Sequence, residues 1–261
     1  MNHTTLKQKL DQHYNAFDKT KIEPDPLQFL HLFKNENDIE IMGFLASIFA
    51  YGSVTQINNT LTRILLLAKN KPYHFIKNYS VNVKSKSSIE IKHRFYSEDD
   101  VNSLFILMKY ILEEYVSLKN LFFIGYDVKD LNVKNAILEF SNHFLNLYQN
   151  YFGNTTHGIK FMFPQPEKGS ACKRMNLFLR WMVRKDELDF GLWNEIPASK
   201  LIIPVDTHIA KISKSLKLTS LKSVSWKMAE EITQNLKHFD SDDPVKYDFA
   251  LCHIGMRKIK F

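Results

Sequence analysis

Apolar side chains recur along most of this chain at spacings of three and four residues, the period of an α-helix with one buried face. The pattern predicts helices over about 4–17, 26–33, 38–51, 54–69, 99–118, 131–151, 171–184, 207–217, 225–238 and 244–257. In the helix near 38, Asp38 reads as the N-cap, Ile41, Leu45, Ile48 and Phe49 share a face, and Tyr51-Gly52 supplies the stop. The next helix continues with Ile57, Leu61, Ile64 and Leu65. No run of β-branched residues alternates long enough to require a strand, so the expected class is all-α.

The polar run Ser80 to Ser88 reads as a loop, and 153–170 carries Gly, Asn, Pro and Lys. These segments place weak lobe boundaries near 78–98 and 153–170 within a single helical unit spanning 1–261. The working picture is a two-lobed helical body with a cleft between the lobes. At 261 residues, with eight Gly and eight Pro, helices joined by short polar loops fit better than a fold of many tight β-turns.

Charge adds a partner class. The net charge of +7 favours polyanions, nucleic acid or an acidic membrane surface, although such an excess also serves solubility. Of 35 basic residues only six are arginine, and Arg174, Arg180 and Arg184 fall within eleven positions. In a chain that otherwise uses lysine, this cluster suggests sites that need the planar fork for phosphate or carboxylate. Two cysteines, Cys172 and Cys252, make neither a disulfide framework nor a four-cysteine metal site. The N-terminus has no signal-like apolar core, and the longest apolar stretch, Ile41 to Tyr51, is about half a membrane span. A cytoplasmic protein, nucleoid-associated by function, with no membrane partner and no cofactor or metal, is expected; a monomer is expected too.

The candidate chemistry lies in the last hundred residues. Gly169-Ser170 leads into a helix with Ser170 as the predicted N-cap. Met175, Phe178, Leu179 and Met182 share one side of it, while Lys173, Leu177, Arg180 and Arg184 lie on the other. An apolar back, a basic front and a Gly-containing turn with free backbone N–H groups suit a phosphate. The plainer reading is a surface helix with a solvated basic face. Downstream, Leu201 to Val205 runs from an apolar stretch into a helix that begins at Asp206. An Asp there is an ordinary N-cap, and a lone histidine such as His208 is more often structural than a ligand.

The whole string changes that weighing. Val205-Asp206-Thr207-His208, with the apolar-basic helix ending Leu216-Lys217-Leu218, closely resembles the helix-hairpin-helix (HhH-GPD) DNA glycosylase superfamily. More narrowly, the chain looks like a bacterial family with this fold. In that superfamily this segment carries the catalytic aspartate, and the helix after an upstream hairpin supplies the catalytic lysine of bifunctional members. The order here is the same: turn, Lys173, helix, intervening segment, Asp206. Tyr247 to Gly255 resembles the last core helix, and Ser47 to Gly52 takes the place of the first pocket helix. Three departures are visible. One hairpin glycine remains, Gly169; Lys173 and Asp206 stand 33 residues apart, reminiscent of the archaeal 8-oxoguanine glycosylases; and the four-cysteine iron–sulfur loop of some relatives is absent.

The resemblance implies a base-excision repair glycosylase with the two-lobed fold, acting on double-stranded DNA that contains a damaged base or an abasic site. An oxidised purine such as 8-oxoguanine is the implied base, and an abasic-site (AP) lyase step through a lysine Schiff base is implied for bifunctional members. Lys173 would be the nucleophile and Asp206 the stabiliser of positive charge at C1′ and a proton shuttle. Gly169, Ser170, Arg174, Arg180, Arg184 and His208 would contact DNA. A flipped base is read by flat or polar groups, for which Tyr51, Gln56, Leu177, Trp181 and Trp193 are the candidates, with Phe178 assigned to the core by helix angle. Trp181, near a helix edge, also reads as core. A nucleic-acid binder that retains the fold without the chemistry is the competing reading, and a membrane-surface or scaffold role rests on positive charge alone.

Overall fold

The computed structural model describes residues 3–80 and 91–257. Most of the Ser80 to Ser88 run that reads as a loop therefore lies outside the described residues. Among the described residues the protein is all-α. Its helices are α1 (His3–Tyr14), α2 (Glu36–Phe49), α3 (Val54–Leu67), α4 (Pro72–Lys77), α5 (Glu98–Tyr115), α6 (Leu118–Ile124), α7 (Lys134–Phe152), α8 (His157–Met162), α9 (Lys173–Val183), α10 (Thr207–Ser215), α11 (Trp226–Lys237) and α12 (Asp248–Arg257). Only two isolated β-bridges occur among these residues. None of the described helices is long and apolar enough to cross a membrane.

The chain divides into two compact units. One comprises Met1–Glu23, Val128–Lys134 and Pro166–Phe261; the other comprises Pro24–Asp127 and Asn135–Gln165. The 153–170 segment contains the division at 165/166, whereas 78–98 lies within the second unit.

The second unit is organised around α2, which is buried from Ile39 to Phe49 because almost every residue there is apolar or small. Phe44 meets Phe140 and Phe144 of α7, and Phe144 stacks on Phe163 at 4.3 Å. The helix starts at Glu36, two residues before Asp38, capped by Asn35, whose side chain accepts from Asn37 and Asp38 N–H. Asp38 instead accepts from Tyr73 N–H at the start of α4, and Glu40 accepts from Leu118 and Lys119 N–H at the start of α6. Acids of one helix thus satisfy the unpaired donors of two others. Helices α4, α6 and α8 have six or seven residues each, too short to show a period, and the sequence pattern does not reveal them. Pro26–Leu32, expected as an α-helix, is a 3-10 helix capped by Asp25.

The first unit gathers α1 and α9 to α12. Tyr247 Oη donates to Asp11 at 2.7 Å, which ties α1 to the segment entering α12. The 128–134 segment is held from within the same unit. Lys200 Nζ donates to the carbonyls of Val128 and Asp130, Val133 N donates to Lys200 O, and Asn132 bonds Glu230.

Candidate active site

The turn before α9 is built on left-handed backbone. Gly169 has φ +81, and its carbonyl accepts from Trp226 N–H at 3.2 Å, fastening the turn to the start of α11. Cys172, not Ser170, is the N-cap residue; it sits in the left-handed region at φ 46 and makes no side-chain cap bond. Ser170 Oγ accepts from Cys172 N–H at 3.2 Å and so braces the turn. Cys172 is buried, and burial pushes its thiol up to about 12, which leaves it protonated and unsuited to nucleophilic work. Gly169 is exposed and Ser170 half-buried, as the sequence reading of a phosphate-contacting turn requires.

Lys173 opens α9 and is half-buried. The apolar stretch Leu201 to Val205 is buried throughout, and it ends at Asp206 in extended conformation. There the carboxylate divides its oxygens. Oδ1 accepts from His208 N–H at 2.8 Å and Ile209 N–H at 2.9 Å, which is the N-cap of α10. Oδ2 lies 3.7 Å from Lys173 Nζ. Two groups 33 positions apart in the chain therefore meet, with the cap bonds holding the carboxylate in one orientation while its second oxygen faces the ammonium. Both side chains keep about a quarter to a third of their surface open, 31% for Lys173 and 26% for Asp206, so a substrate atom can reach them. Leu177, one turn along α9, is half-buried, and His208 is exposed.

The arginines depart from the expectation. Arg180 and Arg184 are buried and face carboxylates of their own unit. Arg180 donates through Nε and Nη2 to the two oxygens of Asp189, both at 3.1 Å, and through Nη1 to Asp248 at 2.7 Å. Arg184 donates to Asp186 at 2.9 Å, to Asp243 at 2.8 Å and to Asp189. Asp186 also accepts from Tyr14 Oη and from Leu188 and Asp189 N–H. The planar forks are used, but for carboxylates; neither side chain is available to a phosphate. Arg174 is buried as well, which removes the third member of the cluster from the surface.

The tryptophans are also corrected. Trp181 and Trp193 are each 1% exposed, so neither offers a ring face to a base. Phe178, assigned to the core, packs edge-on against Trp193 at 5.1 Å. The segment after α9 folds back on the helix through Phe190 N–H to Trp181 O and Trp193 N–H to Met182 O. It carries Asp186 and Asp189 to the arginines. The segment after α9 thus neutralises the basic side chains at the end of the helix.

Asp248, at the first position of α12, is the residue the sequence reading missed. It is fully buried, and burial pushes its carboxyl up to about 6 against the pull of Arg180; the Asp206 charge pushes it further and Lys173 draws it down. Asp248 is therefore a buried carboxyl held by Arg180 that also feels the Asp206 and Lys173 charges. The signal available in the sequence was the acids that follow the cluster, Asp186 and Asp189 close behind Arg184 and Asp243 and Asp248 further on.

Tyr51 and Gln56 belong to the other unit. Tyr51 is half-buried and donates through Oη to His93 O at 2.6 Å; Gln56 is exposed in the first turn of α3. Among the described residues no three His, Cys, Asp or Glu side chains gather to hold a metal ion.

Residues 25–257 match a family described as "Protein of unknown function (DUF2400)", and the chain belongs to it. No curated protein and no solved structure matches the chain.

Proposed function

We propose that this protein is a DNA glycosylase with an associated lyase step, carried by Lys173 and Asp206 in a helix-hairpin-helix glycosylase fold. The observation that supports it is the half-open Lys173 Nζ to Asp206 Oδ2 contact at 3.7 Å, with the carboxylate oriented by two backbone N–H donors. As the bond between C1′ and the base nitrogen breaks, its electrons leave with the base, which takes up a proton. Positive charge develops at C1′, and a fixed carboxylate stabilises it more than mobile water does. The Lys173 amine, once its proton has passed to Asp206 or to water, bonds to C1′. Opening of the sugar ring gives the Schiff base, and loss of a proton from C2′ expels the 3′ phosphate.

The resemblance supplies the class of base, an oxidised purine such as 8-oxoguanine, and the partner, duplex DNA, with the protein acting as a monomer. With the three arginines of α9 buried, the DNA contacts fall to exposed Gly169, half-buried Ser170, exposed His208 and surface lysines. Borohydride trapping on duplexes that contain an abasic site or 8-oxoguanine tests the reading. Wild type is expected to form a covalent adduct, Lys173→Gln none, and Asp206→Asn at least a hundredfold less. An undiminished adduct in Lys173→Gln overturns the assignment. Binding without adduct or base release by wild type across a panel of damaged bases overturns it in favour of a binder without chemistry.

A further inference from the structure

The second unit carries an aromatic cluster on a turn between two buried residues, His93 and Tyr96. His93 and Tyr96 bond each other through backbone N–H and carbonyl groups at 3.1 and 2.9 Å, which places Arg94 and Phe95 at the tip between them. Arg94 sits in the left-handed region at φ 53, a conformation that disfavours a residue with a Cβ. Phe95 is 53% exposed, whereas its neighbour Tyr96 is 1% exposed. The turn is fastened from below. Tyr51 Oη donates to His93 O and accepts from Phe95 N–H, and the buried His93 ring bridges Tyr51 O at 3.0 Å and Thr60 Oγ1 at 2.9 Å. Tyr96 Oη donates to Ile48 O. A strained, heavily braced turn that presents a large apolar ring to solvent points to recognition, since strain of this kind persists only where its surroundings impose it.

The chemistry of the tip identifies the occupant. The Tyr51 and Phe95 rings are nearly parallel, 12° apart, and the Arg94 guanidinium lies 5.6 and 5.5 Å from their centroids. Phe161 and the exposed His157 meet Phe95 edge-on at 5.4 and 6.0 Å, extending the aromatic surface. Gly52 makes room for the cation: a Cβ at that position would lie 2.7 Å from Arg94 Cδ. The first turn of α5 just beyond the tip carries Glu98, Asp99 and Asp100; Glu98 is paired with Lys92 at 3.4 Å, Asp100 accepts from Ser97 and Thr156 hydroxyls, and Lys160 is exposed on the helix that carries Phe161. Flat rings beside a guanidinium complement a planar heterocycle joined to an anion.

We propose that the Arg94-Phe95 tip, supported by Tyr51, His157 and Phe161, is a binding site for an unstacked nucleobase, with Arg94 on the adjoining phosphate. The proposal rests on the nucleic-acid part of the reading above and is independent of Lys173 chemistry. The test is titration of the full chain into a single-stranded oligonucleotide that contains 2-aminopurine, with emission reporting stacking and anisotropy reporting affinity. Wild type quenches the probe. Phe95→Ala loses the quench and binds roughly tenfold or more weakly, a loss in the range that removal of one stacking ring produces. Phe95→Trp retains both, which separates loss of stacking from loss of fold, and thermal melting of each variant checks the latter. Arg94→Gln flattens the salt dependence by the equivalent of about one phosphate contact. Lys173→Gln keeps the quench, so a failure of the lyase reading and a failure of this site are distinguishable. Wild-type quench and affinity in Phe95→Ala overturn the proposal, as does a wild-type protein that binds no single strand at low salt, the result expected if the tip instead receives a protein.

Discussion

The two ends of α9 present the same helical face to opposite environments. Lys173 and Leu177 in the first turns remain partly open, and Lys173 faces a single carboxylate across 3.7 Å. Arg180 and Arg184, two and three turns further on, are buried beneath Asp186, Asp189, Asp243 and Asp248. Helical spacing says which side chains point the same way; it does not say what will cover them. One end is left partly open to solvent and the other is closed with compensated charge. A charge in a dry interior must have its counter-charges brought to it.

The largest effect should come from breaking the closed end. Arg180→Met leaves Asp189 short of one partner and strips Asp248 of its own, and removing one member of a buried pair costs about 3–5 kcal/mol. Urea unfolding is expected to show a loss of that order, and a loss below about 1 kcal/mol would mean that the network is not closed as described. Next comes a pH effect. Burial raises the Asp248 carboxyl from 3.8 to about 6, so the folded state holds more protons than the unfolded state between those values. Stability therefore falls as pH rises from near 4 to about 6, and Asp189, raised by the same cause, adds in the same direction. The expected fall is of the order of 2–3 kcal/mol for wild type and smaller in Asp248→Asn, whose slope over pH 4.5–6.5 is the measurement. Equal slopes would show that Asp248 is not its source.

At the open end the effects on stability are smaller and those on reaction larger. Asp206→Ala removes the α10 cap and should cost about 1 kcal/mol, whereas Asp206→Asn can still accept from His208 and Ile209 N–H and should unfold within about 0.5 kcal/mol of wild type. If Asp206→Asn nevertheless abolishes trapping, the cap and the charge are separable functions of one side chain. Lys173→Met should change the unfolding free energy as little, by about 0.5 kcal/mol or less, because a partly exposed ion pair at 3.7 Å contributes little. A shift as large as that of Arg180→Met would show that the two ends are energetically alike.

Much of the fold can be read directly from the residues. The long helices follow the apolar period, Asp206 caps α10 as its position suggests, and Met175, Phe178, Leu179 and Met182 are buried on the predicted side of α9. The short helices do not show, because six or seven residues carry too little period and their starts are satisfied by distant acids, Asp38 for α4 and Glu40 for α6. The cap of α2 is Asn35 while Asp38 serves the start of α4, and at α9 the cap position falls to Cys172, which makes no side-chain cap bond, while Ser170 braces the preceding turn. The arginine cluster was visible and its demand for carboxylate or phosphate was visible; the choice between them was not.

By itself the primary structure determined the all-helical class, the apolar back of α9 and the start of α10 at Asp206. These depend on contacts within a few positions along the chain. Tertiary structure decided which basic residues reach solvent, which tryptophans stay in the core, and that Lys173 and Asp206 meet. The physical reason is range. A period or a cap is settled within one or two helical turns, but the fate of a guanidinium depends on carboxylates up to 68 positions away, and only folding brings them together.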